Sequence, residues 1–340
     1  MLRIHFLNVG HGDCTIIEHH SGRLTMVDIN TSQDYDADSL RDLQAEEALK
    51  HVSPFGIGGG IGGFGAAPGG LAGLLSPPPP QNALGALTSY FDTIAKAKTE
   101  LTDPIAFMQN HYRGRRLWRF ILTHPDLDHM RGIRRLYETI GFDNFWDTRN
   151  TRPTPNYQSD DDKVDWEFYQ ELRNYAFTRT YMRGDALFAF ARDEYGQPGG
   201  DGIEILSPTP ALVQSCNMAK KSNDLSLVLR LWHGTQNVLL PGDAETKAWD
   251  DLVAFYGGNL KSTFLKASHH GRDSGFHLNA LRLIAPRLTF VSVGRKPDTD
   301  ASSKYRQQSD RVASTRYHGN IELRLFDDGQ YQWLVDRNPG

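Results

Sequence analysis

Phe120 to Ile133 reads FILTHPDLDHMRGI, an apolar run followed by His124, Asp126, Asp128 and His129 inside six residues. Imidazoles and carboxylates crowded at the end of a strand repel or desolvate one another unless a cation sits among them. A divalent metal is the natural resident. A turn leaving a strand can aim two of these side chains one way and two the other, which suits a pair of metals about 3.5 to 4 Å apart. Histidine with carboxylate and no thiolate fits zinc, manganese or iron better than magnesium or calcium. The plainer alternative is a solvated turn whose Asp residues cap the helix that follows.

Two further apolar runs end in the same chemistry. VLLPGDAE, residues 238–245, places Asp243 after Gly242, where backbone can approach a ligand closely. FLKASHHGRDS, residues 264–274, places His269 and His270 after a third run. Each alone reads as a turn or cap; three together read as one metal centre. Hydrolysis is the chemistry such a centre most directly serves, because a metal pair lowers the pKa of water and clamps the attacking and leaving oxygens.

Strand-like runs must deliver these residues. Leu2–Val9, Asp13–Glu18 and Leu24–Ile29, punctuated by glycines, read as an antiparallel meander. A helix is expected from Tyr90 to Gln109, a buried strand over Leu117–Thr123 and a helix over Asp128–Ile140. Beyond a polar turn at 156–162, a helix is expected over Lys163–Phe177. Strands follow at Ile203–Ser207, Leu225–Trp232 and Gln236–Leu240, then a helix at Thr246–Tyr256. The last third alternates a strand at Ser262–Ala267, a helix at Phe276–Ile284 and a strand at Leu288–Val293, and closes in a hairpin turning at Asp328-Gly329.

Between His51 and Phe91 no Asp, Glu, Lys or Arg occurs, and residues 55–80 hold ten glycines in 26 residues. Regular structure is costly there, so a flexible insertion at about 52–89 is expected, with a possible protein-partner role and no transmembrane segment. The 37 basic and 41 acidic residues give a charge of −4, which removes gross basicity as the basis of partner choice. Cys14 and Cys216 are too few for a disulfide framework or a zinc-thiolate site and are expected as buried free thiols. No secretory signal is legible after Met1, so the cytoplasm is the expected location.

The motifs resemble the metallo-β-lactamase superfamily, and within it the metal-dependent hydrolase branch typified by the competence proteins ComEC/Rec2. The matching stretches are FLNVGHGD (6–13), THPDLDH (123–129), NDLSLVL (223–229), LPGDAE (240–245) and LKASHHG (265–271). The resemblance implies an α/β fold, a four-layer αββα sandwich of two mixed sheets flanked by helices, forming a single hydrolase domain over 1–340. Residues of about 143–202 stand outside it as a further insertion. It implies two divalent metals, zinc or manganese: His124 and Asp126 on one, Asp128 and His129 on the other, Asp243 bridging and His270 a ligand. His269 would face the substrate as a general acid or phosphate donor, and Asp13 would orient a ligand from behind or simply cap its turn. Asp126 and Asn223 stand where the superfamily usually has histidines, so the first site is expected to be weaker or to favour manganese.

Phosphodiester cleavage, with DNA or RNA as substrate, is the expected reaction, and Asp128, His269 and Lys266 the expected catalytic groups. Lys266 would offer charge to phosphate, as would Arg131 within a run of seven arginines over residues 113–135; a solvated, ion-paired helix face is the other reading of that run. Asn223 and Lys304 are further substrate-contact candidates. A lactone, thioester or other small-ester hydrolase of the same fold is the alternative, and a partner-binding or sensor module using the Gly/Pro-rich loop is a second.

Overall fold

Every other residue of the opening run LRIHF is apolar, and so is most of TIIE and LTMV, so these segments can bury both faces only between layers. The computed structural model describes residues 1–31, 101–186, 190, 200–294 and 299–336. They lie within one compact unit, Met1–Asp34 with Leu101–Gly340; a second unit, Tyr35–Glu100, lies outside the described residues, and with it the expected Gly/Pro-rich insertion and most of the helix expected from Tyr90.

The strands are β1 (Leu2–Phe6), β2 (Thr15–Glu18), β3 (Leu24–Val27), β4 (Ile29–Asn30), β5 (Arg119–Ile121), β6 (Met130–Arg131), β7 (Phe145–Asp147) and β8 (Thr178–Thr180). Then come β9 (Ile203–Ser207), β10 (Val228–His233), β11 (Gln236–Leu240), β12 (Phe264–Lys266), β13 (Leu288–Val291), β14 (Arg311–Ser314), β15 (Ile321–Leu325) and β16 (Tyr331–Val335). One mixed sheet has the order β16-β15-β1-β2-β3-β5-β7-β8 and the other β14-β13-β12-β11-β10-β9. The expected meander is present, since β1, β2 and β3 pair antiparallel.

Leu2, Ile4, Phe6, Ile121 and Trp146 of the first sheet interlock with Leu229, Leu231, Val238, Phe264 and Phe290 of the second in one buried cluster. The outer face of the first sheet is covered by α1 (Pro104–His111), α2 (Ile133–Thr139) and α3 (Asp160–Leu172). The outer face of the second is covered by α4 (Pro210–Ala219), α5 (Thr246–Tyr256), α6 (Leu278–Ile284) and α7 (Ser302–Arg306). The result is a four-layer αββα sandwich, the architecture that the resemblance implied. Part of the expected insertion at 143–202 is integral to it, because β7 and β8 extend the first sheet in parallel pairing from β5.

The helix expected over Asp128–Ile140 is corrected. Leu127–His129 form one 3-10 turn, Met130 and Arg131 pair with β4, and the α-helix starts only at Ile133. Gly132, at φ 93°, breaks the helical path, and Asp165 accepts the amides of Gly132 and Arg134 that a continuous helix would have bonded internally. Among the described residues no helix is long and apolar enough to cross a membrane. Both cysteines are free and buried, as expected.

Candidate metal centre

Strands β3 and β5 run parallel, as do β11, β12 and β13, so their C-terminal ends lie on one edge of each sheet. That edge is where open α/β sheets place their ligands. Asp28 follows β3, His124 and the 126–129 turn follow β5, Asp243 follows β11, and His269 and His270 follow β12. Gly242 lets the Asp243 turn close. It sits at φ 57°, and a Cβ there would stand 3.0 Å from both Thr123 Cβ and Ser226 Oγ.

Asp243 Oδ2 is the hub. It lies 3.3 Å from His129 Nε2, 3.6 Å from His270 Nε2, 3.7 Å from His269 Nε2 and 3.9 Å from His124 Nε2. Asp128 Oδ2 is 3.4 Å from His270 Nε2, and Asp126 Oδ2 is 3.9 Å from His124 Nε2. The three motifs, read separately in the sequence, therefore meet at one point.

The far side of each ring decides what its near side can do. His129 Nδ1 lies 2.8 Å from Asp28 Oδ2, and His270 Nδ1 lies 3.1 Å from the Ser292 carbonyl. Both acceptors require the proton on Nδ1. His124 Nδ1 faces Thr123 Oγ1 at 3.1 Å, and that hydroxyl donates to Asp28 Oδ2 at 2.7 Å, so its free lone pair takes the imidazole proton. All three rings thus present an unprotonated Nε2 when neutral, the form a metal needs. The Nε2 atoms of His124, His129 and His270 and Asp243 Oδ1 are buried without a hydrogen-bond partner among the described residues. Buried polar atoms left so are costly, and a divalent cation among them removes that cost. The residues present fit such an ion.

Electrostatics agree. Burial opposes charge on His129 and His270, yet the carboxylates of Asp243, Asp28 and Asp128 hold the His129 pKa well above the ordinary value, and Asp243, Asp13 and Asp128 raise that of His270. Asp243 is held well below the usual range, against burial, by His129, His270 and His124. The cavity calls for positive charge.

Asp13, His129, Asp243 and His270 offer ligand atoms within 4.8 Å of one another. Asp13, however, approaches the Nδ1 side, 3.9 Å from His129 and 3.8 Å from His270, behind the rings. Lys266 corrects its expected role: its side chain is 4% exposed, and Nζ donates to Asp13 Oδ2 at 2.5 Å instead of facing a substrate. Arg131 is bound to Asp162 and Gln158, and Lys304 to Asp273, so neither is offered freely to substrate. Of the other arginines in that run, Arg115, Arg116, Arg119, Arg134 and Arg135 also pair with acids. Six of the seven arginines are thus paired with acids, but the run forms no single helix face, because Arg119 is buried in β5 and Arg131 lies in β6.

His269 is more open than its neighbour. Its Nδ1 lies 2.7 Å from Ser274 Oγ and 3.1 Å from Glu245 Oε1, and Asn223 Nδ2 donates to the same Glu245 oxygen at 3.2 Å. Asn223 thus meets Glu245, one residue removed from the imidazole. His269 and His270 sit in the left-handed region at φ 49° and 53°, a strained arrangement that turns the two rings apart. Sequence reasoning gave no role to Asp28 or Glu245. An acid closing the apolar LTMV run was the available signal for Asp28, which also adopts a positive φ of 56°.

No protein-family model matches the chain. It is 28% identical over 252 residues to the competence protein ComA of Neisseria gonorrhoeae, covering 72% of this chain and 28% of that protein. It is 24% identical over 114 residues to the uncharacterized protein YcaI of Escherichia coli K12, covering 32% of this chain and 15% of that one. The chain therefore spans less than a third of either relative. Igni18, a metallo hydrolase from the archaeon Ignicoccus hospitalis KIN4/I, matches at 12% identity with a TM-score of 0.46, covering 98% of this chain and 100% of that one. The similarity to ComA bears out the resemblance to the ComEC/Rec2-like branch that the motifs carry.

Proposed function

We propose that this chain is a metal-dependent hydrolase of phosphodiester bonds, with a nucleic-acid strand as its substrate class. The observation that carries the reading is the convergence of three buried Nε2 atoms on the Asp243 carboxylate. Asp128, His129, His270 and Asp243 would hold one ion, and His124, Asp126 and Asp243 a second, zinc or manganese. When bound, such a pair supplies Lewis-acid charge and lowers the pKa of the water it holds.

The chain's own residues supply the rest. Asp28 keeps His124 and His129 in the ligand tautomer. His269, partly exposed and backed by Glu245 and Ser274, is placed to hold a proton at Nε2 and pass it to the leaving oxygen. The competence-protein resemblance supports a DNA strand.

A second reading, a hydrolase of small esters, lactones or thioesters, is favoured by the pairing of the arginines with acids, which removes the broad basic field a polynucleotide groove would use. The two readings separate in one experiment. Protein shown to hold zinc or manganese is given bis-p-nitrophenyl phosphate and labelled single- and double-stranded DNA, beside Asp128→Ala. Cleavage of both substrates, reduced at least about a hundredfold in the variant, supports the first reading. Activity on small esters alone supports the second, and no diesterase activity with metal bound overturns the first.

A further inference from the structure

A second recess adjoins the metal centre. It is small and partly open to solvent, and is lined by Thr151, Arg152, Cys216, Lys220, Lys221 and Ser222 among others.

Its walls are the segment after β7 and the C-terminal end of α4, and they are fastened together. Asn217 Oδ1 accepts the Thr151 amide at 2.9 Å while its Nδ2 donates to the Arg149 carbonyl at 2.9 Å. The recess also shares a wall with the metal centre: Ser222 Oγ donates to Asp126 Oδ1 at 2.6 Å, and Arg152 Nη1 lies 3.0 Å from that same oxygen.

The charges do not balance. Asp126 offsets one cation, Arg152, whose Nε remains buried without a hydrogen-bond partner among the described residues. Lys220 and Lys221 are exposed, and neither ammonium has an ion-pair or hydrogen-bond partner among the described residues. The carbonyl end of α4 opposes an anion, but the amides of Lys220 and Lys221 cap the Asn217 and Cys216 carbonyls, so two full charges outweigh a blunted helix end.

We propose that this recess is the floor of an anion subsite whose mouth binds a phosphate group of the substrate flanking the scissile bond, with Lys220 and Lys221 as its cations. The inference rests on the phosphodiesterase reading for its choice of phosphate. It also explains how a chain whose arginine run is paired off could still grip a nucleic-acid backbone at one defined position.

The test is equilibrium binding to the full, metal-loaded chain of a thymidine dinucleotide whose methylphosphonate linkage is uncharged and resists cleavage, carrying a 5′-phosphate, a 3′-phosphate or neither. The expected result is that one phosphorylated form binds at least about tenfold tighter than the unphosphorylated one, and that Lys220→Gln/Lys221→Gln abolishes that advantage. Both positions are exposed, so the variant should fold as the parent does. Equal binding of all three forms overturns the subsite, and so does a preference that survives in the variant, which would mean the phosphate sits on the metals. Hydrolysis of bis-p-nitrophenyl phosphate, read alongside, separates the two proposals: a chain that shows the expected binding yet cleaves no diester keeps the subsite and loses the phosphodiesterase reading.

Discussion

Lys266 Nζ donates to Asp13 Oδ2 at 2.5 Å inside the protein, joining residues 253 positions apart. The pair ties the first loop to the end of β12 and sets a carboxylate behind His129 and His270. Lys266→Met leaves that carboxylate buried without its partner, which costs about 3 to 5 kcal/mol. Asp13→Leu/Lys266→Met, which removes both charges, should recover much of the loss. Urea unfolding of the two variants checks this. A single variant within about 1 kcal/mol of the parent would return Lys266 to a substrate-facing role.

Asp28 governs two of the proposed ligands at once. It takes the His129 Nδ1 proton directly and holds the Thr123 hydroxyl that takes the His124 proton. Asp28→Asn can still accept at one oxygen but cannot serve three donors, the His129 ring and the Thr123 hydroxyl and amide, with full charge. Metal affinity should fall about 10- to 100-fold, read by competition with a chromophoric chelator. Unchanged affinity would mean the ring orientation is fixed by packing alone.

Acid sensitivity should come partly from outside the metal centre. His19 is buried between the Asp201 carbonyl and Thr25 Oγ1, and burial lowers its pKa from 6.5 to about 3. The unfolded chain then binds a proton that the folded chain refuses. This stability is fully present above pH 6.5 and is lost as pH falls from there towards 3. At pH 5 the loss from this one group is about 2 kcal/mol. His19→Gln should flatten the fall in unfolding free energy between pH 7 and 5 by about that amount, with a residual slope from His5, which burial lowers to about 4. An unchanged profile would show that His19 titrates normally in the fold.

Much of the candidate site was legible because its residues sit at strand ends, where an apolar run breaks into His and Asp within a few residues. Asp243 and the pair His269 and His270 could be named from that pattern; the choice of His270 over its neighbour came with the family resemblance. What escaped was set by contact across the sequence. The Ser292 carbonyl behind His270 and the Asp28 carboxylate behind His129 carry no local signature of their partner. The role imagined for Lys266 failed for the same reason: its position beside the histidines was visible, but its burial against Asp13 depends on two loops meeting. The helix expected from Asp128 failed because Asp165, more than thirty positions on, accepts the amides at its break.

On the proposed function, His124, His129, His270 and Asp243 hold divalent cations at one point. Crystals of the protein grown with manganese or zinc, measured at wavelengths on either side of the metal's absorption edge, test it directly. Anomalous density should appear against Asp243, with one peak contacted by His129 and His270 and a second by His124 and Asp126. Crystals bearing metal only at other positions, with those four side chains arranged as described, would contradict it.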